Sequence, residues 1–127
     1  MKLATREWVK KAEEDYLAAQ ALSRRRKKPL HNSVCFHCQQ CAEKYLKARI
    51  EEAGLRIPRT HDLEALLNAL LPIEPLWASL RRALQNLTDF AVDFRYPGMT
   101  ATKQDARTAF RDCKVVRAEA RLALGLP

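Results

Sequence analysis

The chain has 127 residues, 30% of them charged, and a formal net charge of +8 at pH 7. This length predicts one domain over residues 1–127, large enough to fold without disulfides or bound metal. No apolar run approaches the roughly 20 residues that span a bilayer, and the N-terminus has no signal-like apolar stretch, so we exclude a membrane protein and predict a cytoplasmic one with reduced cysteines.

The hydrophobic period is close to that of an α-helix almost throughout the chain. The first two predicted helices cover about Thr5–Arg24 and Asn32–Ala53. Pro58 then breaks the chain. Thr60 is expected to cap a short third helix over Asp62–Leu71.

The second half of the chain predicts two more long helices. The fourth covers about Leu76–Phe94 and ends before Pro97-Gly98. Thr102–Asp105 resembles a capping box that opens the fifth helix, about Lys103–Leu124. The chain shows no strand-like alternation, so we predict an all-α fold: an antiparallel up-and-down bundle of four long helices plus one short helix.

Three cysteines, Cys35, Cys38 and Cys41, lie close together on the second predicted helix. They span roughly 120° of arc on its apolar side, whereas His37 falls on the other side. Iron–sulfur signatures contain similar spacings, but usually on loops, and Cys113 lies on another helix. We interpret the thiols as small core residues and predict no metal and no cofactor; a metal site or a redox sensor is the alternative.

Four segments resemble HEPN domains and follow that family's order. Asn32–Lys47, NSVCFHCQQCAEKYLK, is similar to the second helix of the family, which usually reads QAAEK where this chain has QCAEK. Thr60–Leu63, THDL, and Arg95–Pro97, RYP, resemble two further family segments. Trp8 with the AEED that follows it at positions 12–15 resembles the first helix.

The resemblance implies a helical bundle that forms a homodimer and binds nucleotide or RNA. Small members are often paired with a separate minimal nucleotidyltransferase, as in toxin–antitoxin pairs. On this chain we predict five ligand-binding residues: Lys44, Lys47, His61, Arg95 and Tyr96. Tyr96 can stack on a base.

Many HEPN proteins are metal-independent ribonucleases whose arginine and histidine follow the pattern R-x(4–6)-H on a late helix. The histidine can act as general acid or base, and the arginine can stabilise the charge that develops on phosphorus. Arg26 with His31 and Arg56 with His61 fit the spacing, but neither pair lies on the fourth or fifth helix. We therefore predict no catalytic residues, with a ribonuclease using Arg56 and His61 as the alternative.

Basic residues on the fifth helix share one face and can track phosphates as a supporting surface: Arg107, Arg111, Lys114, Arg117 and Arg121. The run Arg24–Lys28 is interpreted as a solvated turn, or alternatively as a site that attracts RNA or an acidic protein. The predicted function is a noncatalytic subunit that binds nucleotide or RNA phosphates. A structural protein–protein adaptor is a further alternative.

Acidic residues near the fourth helix suggest ion pairs. Asp89 and Asp93 lie one turn apart, and we predict that they form a salt bridge to a neighbouring helix; a cation site or acid–base chemistry is the alternative. Arg95 either contacts a phosphate or pairs with Asp15 at the edge of the first helix's apolar face.

Overall fold

The computed structural model describes all 127 residues and contains helices without strands, which confirms the predicted all-α bundle. Five α-helices and one 3-10 helix follow one another along the chain. They are α1 (Leu3–Ser23), α2 (His31–Glu52), α3 (Leu63–Leu70), the 3-10 helix (Pro75–Leu80), α4 (Arg81–Asp93) and α5 (Lys103–Ala123).

α1 runs antiparallel to both α2 and α5. The Thr5 hydroxyl donates to Glu52 at 2.9 Å, which places the start of α1 beside the end of α2. Glu13 of α1 pairs with Arg117 of α5, and Tyr16, one turn later in α1, contacts Phe110, two turns earlier in α5, so these two helices also run in opposite directions. Short connections favour this antiparallel arrangement of consecutive helices.

α2 is the central helix of the bundle. It buries eleven residues and contacts α1, α3, α4 and α5. It runs parallel to α5, because the backbone N–H of Ala101 donates to the Asn32 side chain at 2.7 Å and Arg121 donates to Tyr45 at 2.9 Å. A helix surrounded on most sides needs small residues where its neighbours approach closely.

The cysteines supply these small residues. All four are free thiols, and each is at most 1% exposed, which confirms their interpretation as core residues. Cys113 of α5 does meet the α2 cluster: contact with its thiol, together with burial, raises the pKa of Cys38 and Cys41. Burial raises the pKa of Cys35 to about 12. The His, Cys, Asp and Glu side chains form no group of three that could hold a metal ion.

The predicted fourth helix is divided in two. Pro75–Leu80 forms a 3-10 helix, and the α-helix begins only at Arg81. In a 3-10 helix, residues three apart lie on the same side. Trp77 and Leu80, both buried, can therefore enter the core together.

The cap of α3 also differs from the prediction. Asp62, rather than Thr60, is the N-cap: its carboxylate accepts from the backbone N–H of Glu64 at 3.0 Å. Thr60 accepts from the backbone N–H of Asp62 at 3.0 Å and so supports the cap from outside the helix. The predicted capping box of α5, Thr102 with Asp105, is confirmed.

Candidate nucleic-acid interface

A groove of about 840 Å³ opens where the segment after α1 lies beside the first half of α5. Val34 at the start of α2 and Phe110 of α5 contribute apolar surface to it. Seven of its fourteen lining residues are cationic: Arg24, Arg25 and Arg26 directly after α1, and Lys103, Arg107, Arg111 and Lys114 along α5.

No carboxylate lines the groove. Arg111 is the one cation of the seven that has an acidic neighbour, the buried Asp112, at 3.4 Å. That carboxylate also accepts a hydrogen bond from Asn86 at 3.1 Å. The other six cations form no salt bridge, so the groove holds a local excess of positive charge that attracts polyanions.

Two features of the sequence build the walls of the groove. After α1, Lys28 adopts a left-handed backbone conformation with φ of 49°, and Arg25 Nε donates to the carbonyl oxygens of Lys27 and Lys28 at 2.9 and 3.1 Å. These bonds close the turn between α1 and α2. On the other wall, the cations of α5 are three and four residues apart, so they share one face of the helix.

The groove unites two basic surfaces that sequence analysis treated separately. The run after α1 and the α5 residues Arg107, Arg111 and Lys114 line the same space. Arg117 and Arg121, predicted as part of the same stripe, do not line it. Their side chains lie against Glu13 of α1 instead.

Glu13 links α1, α2 and α5. It accepts two hydrogen bonds from Arg117, at 2.7 and 2.8 Å, and one from the hydroxyl of Tyr45. Arg121 in turn donates to the Tyr45 hydroxyl at 2.9 Å. Burial raises the pKa of Glu13, but the hydrogen bonds from Arg117 and Tyr45 outweigh it and hold the pKa below its ordinary value. Both arginines therefore already have partners within the bundle, and they share the single negative charge of Glu13.

Lys44, one of the predicted ligand residues, is paired inside the protein. Its ammonium group donates to Asp15, and His37 Nδ1 lies 2.8 Å from the other oxygen of that carboxylate. The predicted alternative of an ion pair between Asp15 and Arg95 is wrong, because both carboxylate oxygens of Asp15 contact Lys44 and His37 of α2.

Lys47 and His61 meet at one buried carboxylate. Glu43 is 4% exposed and lies 3.1 Å from Lys47 Nζ and 2.9 Å from His61 Nδ1. Gln39 donates to the same carboxylate at 3.1 Å. The Lys47 ammonium group also lies 5.6 Å from the centre of the Trp8 ring. The role of Lys47 and His61 in ligand binding stays a prediction.

The carboxylate of Glu43 is expected to make the fold sensitive to acid. Burial raises the pKa of Glu43, but hydrogen bonds from His61, Gln39 and Lys47 lower it by a larger amount. The pKa therefore lies below its ordinary value in the folded state. Its ionised form thus stabilises the fold at neutral pH, and this contribution is lost as the pH falls through the lowered pKa. We expect Glu43→Gln to reduce the free energy of unfolding by about 1.5 kcal/mol at pH 7 and by less at pH 3, as measured by urea denaturation.

Glu64→Gln is a suitable control, since its ion pair with Arg81 is about one third exposed and worth less than about 1 kcal/mol. A Glu43→Gln variant that lost the same stability at pH 3 as at pH 7 would contradict the assignment.

Arg95 and Tyr96 lie exposed after α4, away from the groove. Arg95 lines a smaller cleft of about 230 Å³, together with Phe36 of α2. Asp89 and Asp93 are also exposed, and neither forms a salt bridge. The predicted ion pair with a neighbouring helix is therefore wrong, and the role of Arg95 and Tyr96 in ligand binding stays a prediction.

The four segments that resemble HEPN domains lie within or beside α1, α2, α3 and α4, in chain order. A family model described as HEPN domain matches residues 5–122, nearly the whole chain. The protein belongs to the HEPN family. No curated protein and no solved structure matches this HEPN domain. None of its helices combines the length and apolar character needed to cross a membrane.

The two arginine–histidine pairs of this HEPN domain lie in different surroundings. Arg56 is exposed in the connection between α2 and α3 and forms no hydrogen bond with His61, which faces Glu43. Arg26 and His31, in contrast, both line the basic groove. Of the two pairs, Arg26 with His31 is therefore the one that the fold places beside other cations without salt bridges.

Proposed function

We propose that this HEPN domain is a noncatalytic subunit that binds RNA through its phosphates in the basic groove. The observation that supports the proposal is a groove with seven cationic side chains and no carboxylate. Six of these cations form no salt bridge, so phosphates would not have to displace a carboxylate from them. Releasing the counterions that phosphates carry then favours binding.

Binding of this kind is expected to depend steeply on salt. If four phosphates of a single strand are neutralised, raising the salt from about 50 to 200 mM weakens the affinity by about 50-fold. Fluorescence anisotropy with a labelled RNA oligonucleotide measures this dependence. Affinity that does not change with salt would contradict phosphate binding, and tighter binding of polyglutamate than of RNA would assign the groove to an acidic protein.

The homodimer and the separate minimal nucleotidyltransferase partner are proposed on the family membership alone. Light scattering of the purified chain tests the first, and co-purification with a nucleotidyltransferase encoded beside it tests the second. A monomer at micromolar concentration, or a neighbouring enzyme that does not bind, would remove the corresponding part of the proposal.

A metal-independent ribonuclease is the second candidate function, because the groove brings Arg26 and His31 beside the other cations. His31 would exchange the proton of the attacking hydroxyl or leaving oxygen, and the arginines would stabilise charge on phosphorus. RNA cleavage that survives EDTA and is lost in His31→Ala, but not in His61→Ala, would favour this enzyme. Stable RNA at high protein concentration favours the noncatalytic subunit.

A further inference from the structure

The groove contains one phenylalanine ring among its cations. Phe110 lines the groove and is half-buried. The ring of Phe110 stacks on that of Tyr16 of α1, with ring centres 5.9 Å apart and planes inclined by 26°. An aromatic ring held in an electropositive groove is the arrangement with which proteins bind single-stranded nucleic acid.

The ring of Phe110 is supported by Tyr16, which is itself packed against Arg117. The guanidinium group of Arg117 lies 4.1 Å from the centre of the Tyr16 ring, and Glu13 fixes that guanidinium group through two hydrogen bonds. Arg117, Tyr16 and Phe110 thus pack in sequence from the Glu13 cluster towards the groove. Such pre-positioning lowers the conformational cost of binding a flat ligand.

Lys114 lies against the ring of Phe110. Its ammonium group lies 4.9 Å from the centre of the Phe110 ring, its side chain is exposed, and it forms no salt bridge. A lysine has a flexible stem and a strongly hydrated charge. It can therefore leave the ring for a phosphate on the same strand when a base takes its place.

We propose that the groove binds single-stranded rather than double-stranded RNA, with one unpaired base stacked on Phe110 and Lys114 moved to an adjacent phosphate. This inference rests on the proposed function of the groove and specifies its ligand. In a duplex the faces of the bases are stacked on one another, so a ring inside a groove can reach only a base that is free.

Three ligands separate stacking from charge: a single-stranded RNA, the blunt duplex of the same sequence, and long-chain polyphosphate, which has no bases. We expect the single strand to bind more tightly than the duplex. Phe110→Leu should weaken single-strand binding by about tenfold and leave polyphosphate binding unchanged. Phe36→Leu is the control, because Phe36 is a half-exposed aromatic residue outside the groove.

A single strand with one 2-aminopurine tests the contact in the unaltered protein, whatever the stability of Phe110→Leu. Stacking should quench its fluorescence on binding. Unchanged fluorescence at saturation, equal affinity for strand and duplex, or an equal loss for RNA and polyphosphate in Phe110→Leu would overturn the inference while leaving phosphate binding in place. Failure of all three ligands to bind would overturn both the inference and the proposed function.

Discussion

Replacing Arg107 and Lys114 together by glutamate is expected to weaken RNA binding by at least about 100-fold. Both side chains line the groove and have no acidic partner. A hydrogen bond to a charged group contributes about 1.5 kcal/mol, so losing two such contacts corresponds to a factor of about 100. The new carboxylates add repulsion. Anisotropy titrations at one fixed salt concentration measure the change.

A matched control separates the groove from the overall charge of the protein. Arg59 and Arg82 are exposed cations without salt bridges that do not line the groove. Changing both to glutamate alters the net charge by the same amount. We expect this variant to lose only a fewfold in affinity through weaker long-range attraction. If the two double variants bind RNA equally, the groove is not the binding site.

Glu13→Ala is expected to reduce the free energy of unfolding by about 2–3 kcal/mol. The substitution leaves Arg117 without its two hydrogen bonds and Tyr45 without its acceptor, although both side chains remain largely covered. A bidentate arginine–carboxylate pair is among the stronger polar contacts in proteins. The loss is a large part of the 5–15 kcal/mol that typically stabilises a domain. Urea denaturation followed by circular dichroism measures it.

Glu14→Ala is the control for this prediction, since the neighbouring Glu14 is exposed and forms no hydrogen bond. It removes the same charge from the same helix and should change stability by less than about 0.5 kcal/mol. Equal stability of the two variants would show that the Glu13 cluster contributes nothing beyond its charge.

Most of the fold was predictable, because each long helix carries its own periodic apolar face and a recognisable end. The start of α4 was not. Leu76–Leu80 reads as the first turn of an α-helix, because residues three apart, such as Trp77 and Leu80, share one side in an α-helix as well as in the observed 3-10 helix. Likewise, both Thr60 and Asp62 are good caps by residue type. Only the hydrogen bonds distinguish them: Asp62 accepts from Glu64 in the first turn, and Thr60 accepts from Asp62.

The groove was predictable only in parts. The run after α1 and the cations of α5 are visible as charge patterns, but they are nearly 80 residues apart, and the packing of α1 against α5 brings them together. Nothing in a single helix shows that Arg107 stays unpaired while Arg117, ten residues later, meets Glu13. Phe110 reads as an ordinary core residue on the apolar side of α5. The cation beside it at Lys114 was the one available signal.

The four buried thiols allow opening of the helical bundle to be measured without adding a label site. A maleimide can react with Cys35, Cys38, Cys41 or Cys113 only after α2 or α5 moves away from its neighbours, since the native bundle exposes almost none of their surface. The labelling rate therefore reports how often the bundle opens. Because no cysteine lies in the groove, the same reagent leaves bound RNA undisturbed, and slower labelling in its presence would measure how firmly a ligand clamps α1 and α5 together.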